Sequence, residues 1–196
     1  MFYSSSNYCI FILSYILLIN LAIEGVEIRA ISRDIENTRS TLLRRKATFI
    51  GDYAFTDHIY SNATQSNLND EFVRIREYQR TNWKQKAVVI VHKVRDAREG
   101  NHQTLLKEEC DTLDEAEKFI PNDFYKRFSF PRHGWEYCLE NMQIYVEEID
   151  GLSPSIEVIA PSHQEILILF KDLKITEILT DSVPEWYCKM LLSPAN

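Results

Sequence analysis

The sequence lacks the cysteine spacing of a disulfide scaffold or of a zinc site. Its four cysteines, Cys9, Cys110, Cys138 and Cys188, are scattered over 196 residues, and no CxxC pair occurs. If an N-terminal segment containing Cys9 were removed, three cysteines would remain, and an odd number is unusual for a secreted disulfide-bonded protein. We therefore expect reduced thiols and a cytoplasmic protein.

The sequence also lacks an excess of positive charge. It has 22 Lys and Arg residues against 29 Asp and Glu residues, which gives a net charge of −7. A protein that coats nucleic acid needs a basic surface, so we expect no DNA partner. A net negative charge does not exclude a small basic pocket inside the protein. The hydrophobic content of 45% is sufficient for a core and excludes a disordered chain.

Charge is absent from the first 23 residues. The stretch YCIFILSYILLINLAI, residues 8–23, is apolar apart from Ser14 and Asn20. It lacks the basic residues of a signal peptide and is slightly short for a membrane span. Three interpretations stay open for residues 1–22: an anchor or signal, an extension upstream of the true start, or a packed helix. Membrane association through residues 8–23 therefore also stays open.

The remainder, residues 23–196, is expected to be one domain, because no repeat, low-complexity tract or linker divides it. Period-two alternation predicts strands at Val26–Ala30, Tyr53–Tyr60, Phe72–Tyr78, Ala87–Lys93, Gln103–Cys110, Tyr125–Arg132, Gln143–Ile149 and Ser155–Ala160, with a hairpin arm at Trp135–Leu139. A hairpin loop is predicted at RDAREGN, residues 95–101. Helices are predicted after Ser32 and after the capping boxes that start at Thr112, Ser162 and Ser182.

Charged residues in these strands alternate with apolar ones. In the first predicted strand the charged residues are Glu27 and Arg29, and in the third they are Arg74 and Arg76. A barrel strand alternates interior and exterior side chains. If the apolar half packs under the helices, the other half faces a lumen and presents Glu27, Arg29, Arg74, Arg76, Lys93, Lys107, Glu109, Glu147 and Glu157.

Clustered charges of both signs can hold a polyphosphate together with a metal ion. Arginine and lysine bind phosphate oxygens, and carboxylates bind Mg²⁺ or Mn²⁺. Since buried charges are costly unless they pair or meet a ligand, the pattern predicts a metal–triphosphate site in the lumen. The alternative is a single solvated sheet face, which R-x-R and K-x-E patterns also produce.

The order of the motifs resembles the CYTH family of triphosphate tunnel metalloenzymes, which includes class IV adenylate cyclases and thiamine triphosphatases. VEIRA (26–30) is similar to the opening E-x-E-x-K strand, FVRIRE (72–77) to the R-x-R strand, and YVEEIDGLSPSIEVIA (145–160) to the acidic strand, turn and final E-x-E strand. FTDHIYSN (55–62), VVIVHK (88–93) and LLKEECDTLDEA (105–116) follow the family's order between them. The resemblance implies an α+β fold with a closed antiparallel β-barrel, the triphosphate tunnel, flanked by helices.

The resemblance also implies roles for single residues. Metal binding falls on Glu27, Glu147 and Glu157, and catalytic roles fall on Glu27, Glu109 and Glu157. Phosphate binding falls on Arg29, Arg74, Arg76, Lys93, Lys107 and Arg132. The sequence departs from the family where Gly25 and Ile159 replace one glutamate in each E-x-E motif, and where Arg29 replaces a lysine.

We therefore expect Mg²⁺- or Mn²⁺-dependent binding and hydrolysis of a nucleoside or other organic triphosphate. A non-catalytic module that binds polyphosphate or nucleotide is the alternative favoured by Gly25 and Ile159. A class IV-type adenylate cyclase is a further alternative, although the His-Phe that often precedes the first strand of these cyclases is absent. A structural or interaction protein at a membrane would instead use the apolar N-terminal segment.

Overall fold

The computed structural model describes residues 25–62, 68, 71–80, 88–95 and 102–192. The strands are β1 (Val26–Ile31), β2 (Thr48–Ser61), β3 (Glu71–Arg80), β4 (Val88–Arg95), β5 (His102–Cys110), β6 (Tyr125–Leu139), β7 (Met142–Ile149), β8 (Ser155–Ala160) and β9 (Ile178–Leu179). The helices are α1 (Ile35–Arg44), α2 (Leu113–Glu117), α3 (His163–Leu173) and α4 (Val183–Leu192). Residues 1–22 and most of the predicted loop at 95–101 lie outside the described residues.

The strands form one antiparallel sheet in the order β5-β4-β3-β2-β6-β7-β8-β1-β9. The α+β class is confirmed, whereas closure of the sheet into a barrel is not shown, because no ladder joins the edge strands β5 and β9 within the described residues. The outer edge of β1 instead pairs with the two-residue strand β9. The sheet is still rolled, since Glu27 on β1 acts electrostatically on Lys93 of β4, although β3, β2, β6, β7 and β8 separate them in the strand order.

Several element boundaries differ from the prediction, and β2 begins at Thr48 instead of Tyr53. The strand predicted at Tyr125–Arg132 and the arm predicted at Trp135–Leu139 are one strand, β6, because β2 pairs with it along nearly its whole length. Helix α1 is capped by Asp34, whose carboxylate accepts from the N–H of Asn37 at 2.9 Å, and not by Ser32.

Thr112 and Ser162 cap their helices as predicted, and at the third predicted box the N–H of Ser182 donates to Glu185 Oε2 at 2.8 Å. Thr112 Oγ1 accepts from the N–H of Glu115 at 3.2 Å, and Ser162 Oγ accepts from the N–H of Glu165 at 3.4 Å. Each such cap stabilises its helix by about 1 kcal/mol relative to alanine. The caps fix where α2 and α3 begin and therefore how they lie across the sheet.

The apolar half of each strand packs under the helices, as the alternation predicted. Buried residues of β1, β7 and β8, such as Ile144 and Ile156, meet Leu42 of α1 and Leu169 of α3. A second cluster joins β3 and β4 to α2. Full burial of each large aliphatic side chain contributes about 1.5–3 kcal/mol. Because the apolar half is turned outward to the helices, the charged half faces the inside of the rolled sheet.

Helix α4 covers one end of this inward face. Ile59, Phe72, Phe130 and Ile149 have the same orientation as the charged residues of their strands and pack against α4 residues that include Val183, Trp186 and Tyr187. The rings of Phe130 and Tyr187 stack with centroids 4.6 Å apart. That end is therefore apolar, and the charged groups lie further along the sheet. No helix within the described part of the chain is long and apolar enough to cross a membrane.

Candidate functional site

Arg29 joins three strands on the inward face. Its guanidinium, which is 8% exposed, forms ion pairs with Glu147 of β7 and Glu157 of β8. It also donates to Ser155 Oγ at 3.0 Å. The β1–β8 ladder places Arg29 directly opposite Glu157, so the backbone register brings the two side chains together.

Glu147 is the most heavily engaged carboxylate of the site. Besides Arg29, it accepts from Arg132 Nη2 through both oxygens at 2.6 Å and from the hydroxyl of Tyr53 at 2.8 Å. Burial would raise the pKa of Glu147, but the charges of Arg132 and Arg29 hold it well below the usual carboxyl range. Glu147 is therefore ionised, and its oxygens already have protein partners.

Gly134 provides the space in which Tyr53 reaches Glu147. The two residues are opposite each other in the β2–β6 ladder. A Cβ atom on Gly134 would lie 2.5 Å from Cζ and from the hydroxyl oxygen of Tyr53. The absence of a side chain at Gly134 is thus part of how the network is built.

Asp57 is the second buried carboxylate, and the sequence analysis did not assign it to the site. Arg76 binds it with both Nε, at 2.8 Å, and Nη2, at 3.0 Å, and Arg132 Nη1 lies 3.0 Å away. Burial would raise the pKa of Asp57, but Arg76, Arg74 and Arg132 lower it below the ordinary value. Asp57 follows Tyr53 and Phe55 at every second position of β2, and this spacing could have shown that it lies on the same face as they do.

Arg74 differs from its neighbours because it makes no hydrogen bond or ion pair in the described part of the chain, and its Nε is buried without a partner. Burial and the like charges of Arg76 and Arg132 lower the pKa of Arg74 to about 10. Lys93, which is half-buried, also has no ion-pair partner among the described residues, and burial and Arg74 lower its pKa. The inward face therefore carries two cations on β3 and β4 that no carboxylate contacts within the described residues, although Asp57 attracts Arg74 and Glu27 attracts Lys93 at longer range.

Not all predicted site residues join this cluster. Glu27 is exposed and lies opposite Ile159 in the β1–β8 ladder. Lys107 and Glu109 are exposed on the edge strand β5. The structure brings together Arg29, Arg74, Arg76, Arg132, Glu147 and Glu157, with Lys93 beside them.

Glu136 and Tyr145 form a second inward-facing pair that the sequence analysis did not identify. They are opposite each other in the β6–β7 ladder. Burial raises the pKa of Glu136 to about 7, and a hydrogen bond with Tyr145 partly offsets this effect. The pKa of Tyr145 is raised by burial and by the charge of Glu136. Glu136 is therefore a carboxyl group that titrates near neutral pH.

The carboxylates assigned to Mg²⁺ or Mn²⁺ do not fit such an ion as they are arranged. These cations need oxygen ligands that are not committed to other cations. Glu147 and Glu157 instead bind Arg29, and Glu27 is exposed. Within the described ranges, no group of three or more His, Cys, Asp or Glu side chains could hold a metal ion.

No family model matches the sequence, and no curated protein matches it. Solved structures do match. The PH1819 protein from Pyrococcus horikoshii OT3 has a TM-score of 0.67 at 16% identity, covering 84% of this chain and 98% of that chain. A candidate adenylate cyclase from Vibrio parahaemolyticus has a TM-score of 0.64 at 12% identity, covering 86% and 98%.

A third match is the adenylyl cyclase candidate HpAC1 from Hippeastrum, which is described as having a dominant triphosphatase activity. Its TM-score is 0.59 at 15% identity, covering 87% of this chain and 97% of that chain. The chain shares the fold of these proteins. At such identities the similarity concerns the fold alone.

Proposed function

We propose that the inward face of the sheet binds a triphosphate or another polyphosphate anion. Arg74 is the observation that carries this proposal. The buried Nε of Arg74 has no acceptor among the described residues, and this is costly because the atom has lost its hydration; Asp57 attracts the guanidinium but forms no hydrogen bond with it. A phosphate oxygen would supply the missing acceptor and would also neutralise the charge.

The arrangement of the cations favours an elongated anion. Arg74 lies on β3 and Lys93 on β4, and each lacks an ion-pair partner in the described part of the chain. The buried Nε of Arg132 on β6 is also without a partner. Donors on different strands can contact successive phosphoryl groups of one chain, whereas a single orthophosphate would satisfy fewer of them.

Calorimetric titration with inorganic tripolyphosphate tests this proposal. Charge-assisted hydrogen bonds contribute about 1.5–3 kcal/mol each, so Arg74→Met should weaken binding by about 10- to 100-fold. Arg33→Met is the matched control, because the Arg33 side chain is 83% exposed and pairs with Glu177, away from the inward face. Equal affinities of Arg74→Met and the native protein would refute the proposal.

Hydrolysis of an organic triphosphate in the presence of Mg²⁺ or Mn²⁺ is the second candidate function. It is favoured by the fold shared with the Hippeastrum protein and by Glu27, an exposed carboxylate that forms no ion pair within the described residues. Phosphate release should be measured over a panel of triphosphates with and without each metal. Release at background rates in every reaction would contradict hydrolysis, and cyclic AMP formed from ATP would indicate the cyclase alternative.

A further inference from the structure

Arg29 occupies the space between two carboxylates that the CYTH resemblance assigns to a metal ion. Glu147 and Glu157 lie on the neighbouring strands β7 and β8, and both converge on this guanidinium. Ser155 accepts a further hydrogen bond at 3.0 Å and helps to fix the orientation of the side chain. The cation that neutralises this carboxylate pair is thus part of the chain itself.

A divalent ion would have to displace these protein contacts in order to bind. The oxygens of Glu147 also accept from Arg132 and Tyr53, so an incoming ion would meet two guanidinium charges where the dielectric constant is low. The remaining candidate ligand, Glu27, lies opposite Ile159. Neither Ile159 nor Gly25 provides the second oxygen donor that would hold an ion beside Glu27.

We infer that Arg29 takes the place of a divalent cation, so that the site binds polyphosphate without metal. This inference rests on the proposed polyphosphate binding. Without a cation beside them, Glu147 and Glu157 would repel an incoming phosphate. Arg29 removes that repulsion permanently and leaves Arg74 and Lys93 available for the anion.

The first test is a titration of the native full-length protein with inorganic tripolyphosphate. It is carried out in EDTA and then in Mg²⁺ or Mn²⁺ at equal ionic strength. We expect binding in EDTA, with metal leaving the affinity within about threefold or weakening it, because the metal also binds free tripolyphosphate. Metal-dependent binding, at least about tenfold tighter with metal, would overturn the inference but preserve the proposed function. Absence of binding in both conditions would overturn both.

The second test uses Arg29→Gln, which leaves Glu147 and Glu157 without this partner. Its affinity in EDTA should fall by at least about tenfold, and Mg²⁺ should restore part of the loss by neutralising the carboxylates. Arg29→Lys retains the charge and should recover most of the metal-free affinity. Near-UV circular dichroism verifies that both variants are folded. Native affinity of Arg29→Gln in EDTA, with no response to Mg²⁺, would overturn the inference, and the native titration remains decisive if the variants do not fold.

Discussion

Arg74 and Arg76 are two residues apart on β3, yet their charges are compensated differently. Arg76 binds Asp57 through two nitrogen atoms, and Arg74 makes no ion pair within the described residues. Removing an uncompensated buried charge is favourable for folding, whereas breaking a buried pair is not. The residue that is most useful for binding an anion should therefore be the one that is least favourable for stability.

We expect Arg74→Met to raise the free energy of unfolding by about 1–2 kcal/mol, because it removes a desolvated charge and retains an apolar stem of similar length. Arg76→Met should lower it by about 3–5 kcal/mol, since Asp57 loses its two-point partner. Urea unfolding without added anion measures both. A lower stability of Arg74→Met would mean that its guanidinium has a stabilising partner in the protein.

Glu136 predicts a pH effect on stability. Its pKa rises on folding from 4.5 to about 7, so its contribution to stability is fully present below about pH 4.5 and is lost as the pH rises through 7. Glu136→Gln has no such loss and can still accept from Tyr145. We expect it to be more stable than the native protein by about 2–3 kcal/mol at pH 8, with a much smaller difference at pH 5.

Urea unfolding at these two pH values measures the effect. Asp57 and Glu147 do not contribute to the difference, because they are present in both proteins and their lowered pKa values keep them ionised in the folded state at both pH values. If the free energies of unfolding of Glu136→Gln and the native protein differ by the same amount at both pH values, the raised pKa of Glu136 is contradicted.

The sequence revealed which arginines face inward but not which of them are paired. The R-x-R alternation was sufficient to place Arg74 and Arg76 on one face, since the period of a strand is two. Their partner Asp57 lies on β2, and the partners of Arg29 lie on β7 and β8. These contacts depend on ladder register between segments that are distant in the chain, which composition and local spacing do not encode.

At the scale of single elements, Gly134 determines how closely β2 and β6 place their inward side chains. A methyl group there would meet the ring of Tyr53, which must then move away from Glu147. Gly134→Ala should lower the free energy of unfolding by about 1–3 kcal/mol, the usual cost of overpacking. Thermal or urea unfolding measures the change.

Gly151→Ala is not a suitable comparison, because the positive φ of Gly151 adds backbone strain. The double variant Gly134→Ala/Tyr53→Phe is a better control. If the cost arises from the displaced Tyr53–Glu147 hydrogen bond, Gly134→Ala should cost less in the Tyr53→Phe background than in the native one. If Gly134→Ala lowers the free energy of unfolding equally in both backgrounds, the cost does not come from the Tyr53–Glu147 hydrogen bond.

Strands with clean alternation were predictable, and their connections were less so. β1, β7 and β8 lie within about two residues of their predicted bounds, because apolar and charged residues alternate throughout them. β6 was predicted as two pieces, and only pairing with β2 makes it continuous. Closure of the sheet was implied by the family resemblance, but part of the outer edge of β1, at Arg29 and Ala30, pairs with β9.

At the scale of the whole molecule, every described strand and helix lies between Val26 and Leu192. We propose that this part folds without residues 1–22. Deleting them should leave the near-UV circular dichroism spectrum unchanged and the melting temperature within about 2 °C, less than a 1 kcal/mol change would produce. Loss of cooperative unfolding would show that the apolar segment contributes to the core.

Helix α4 covers the end of the inward face beyond Phe72 and Phe130 with the apolar side chains of Val183, Trp186 and Tyr187. If the inward face binds polyphosphate as proposed, this cover would stop the anion, which would then enter and leave from the opposite end. The free phosphate end of a chain would therefore enter first and stop at the apolar end, with any organic group trailing toward solvent. A triphosphate tethered to a resin by its organic group should still be captured, whereas a polyphosphate esterified at both ends should not compete.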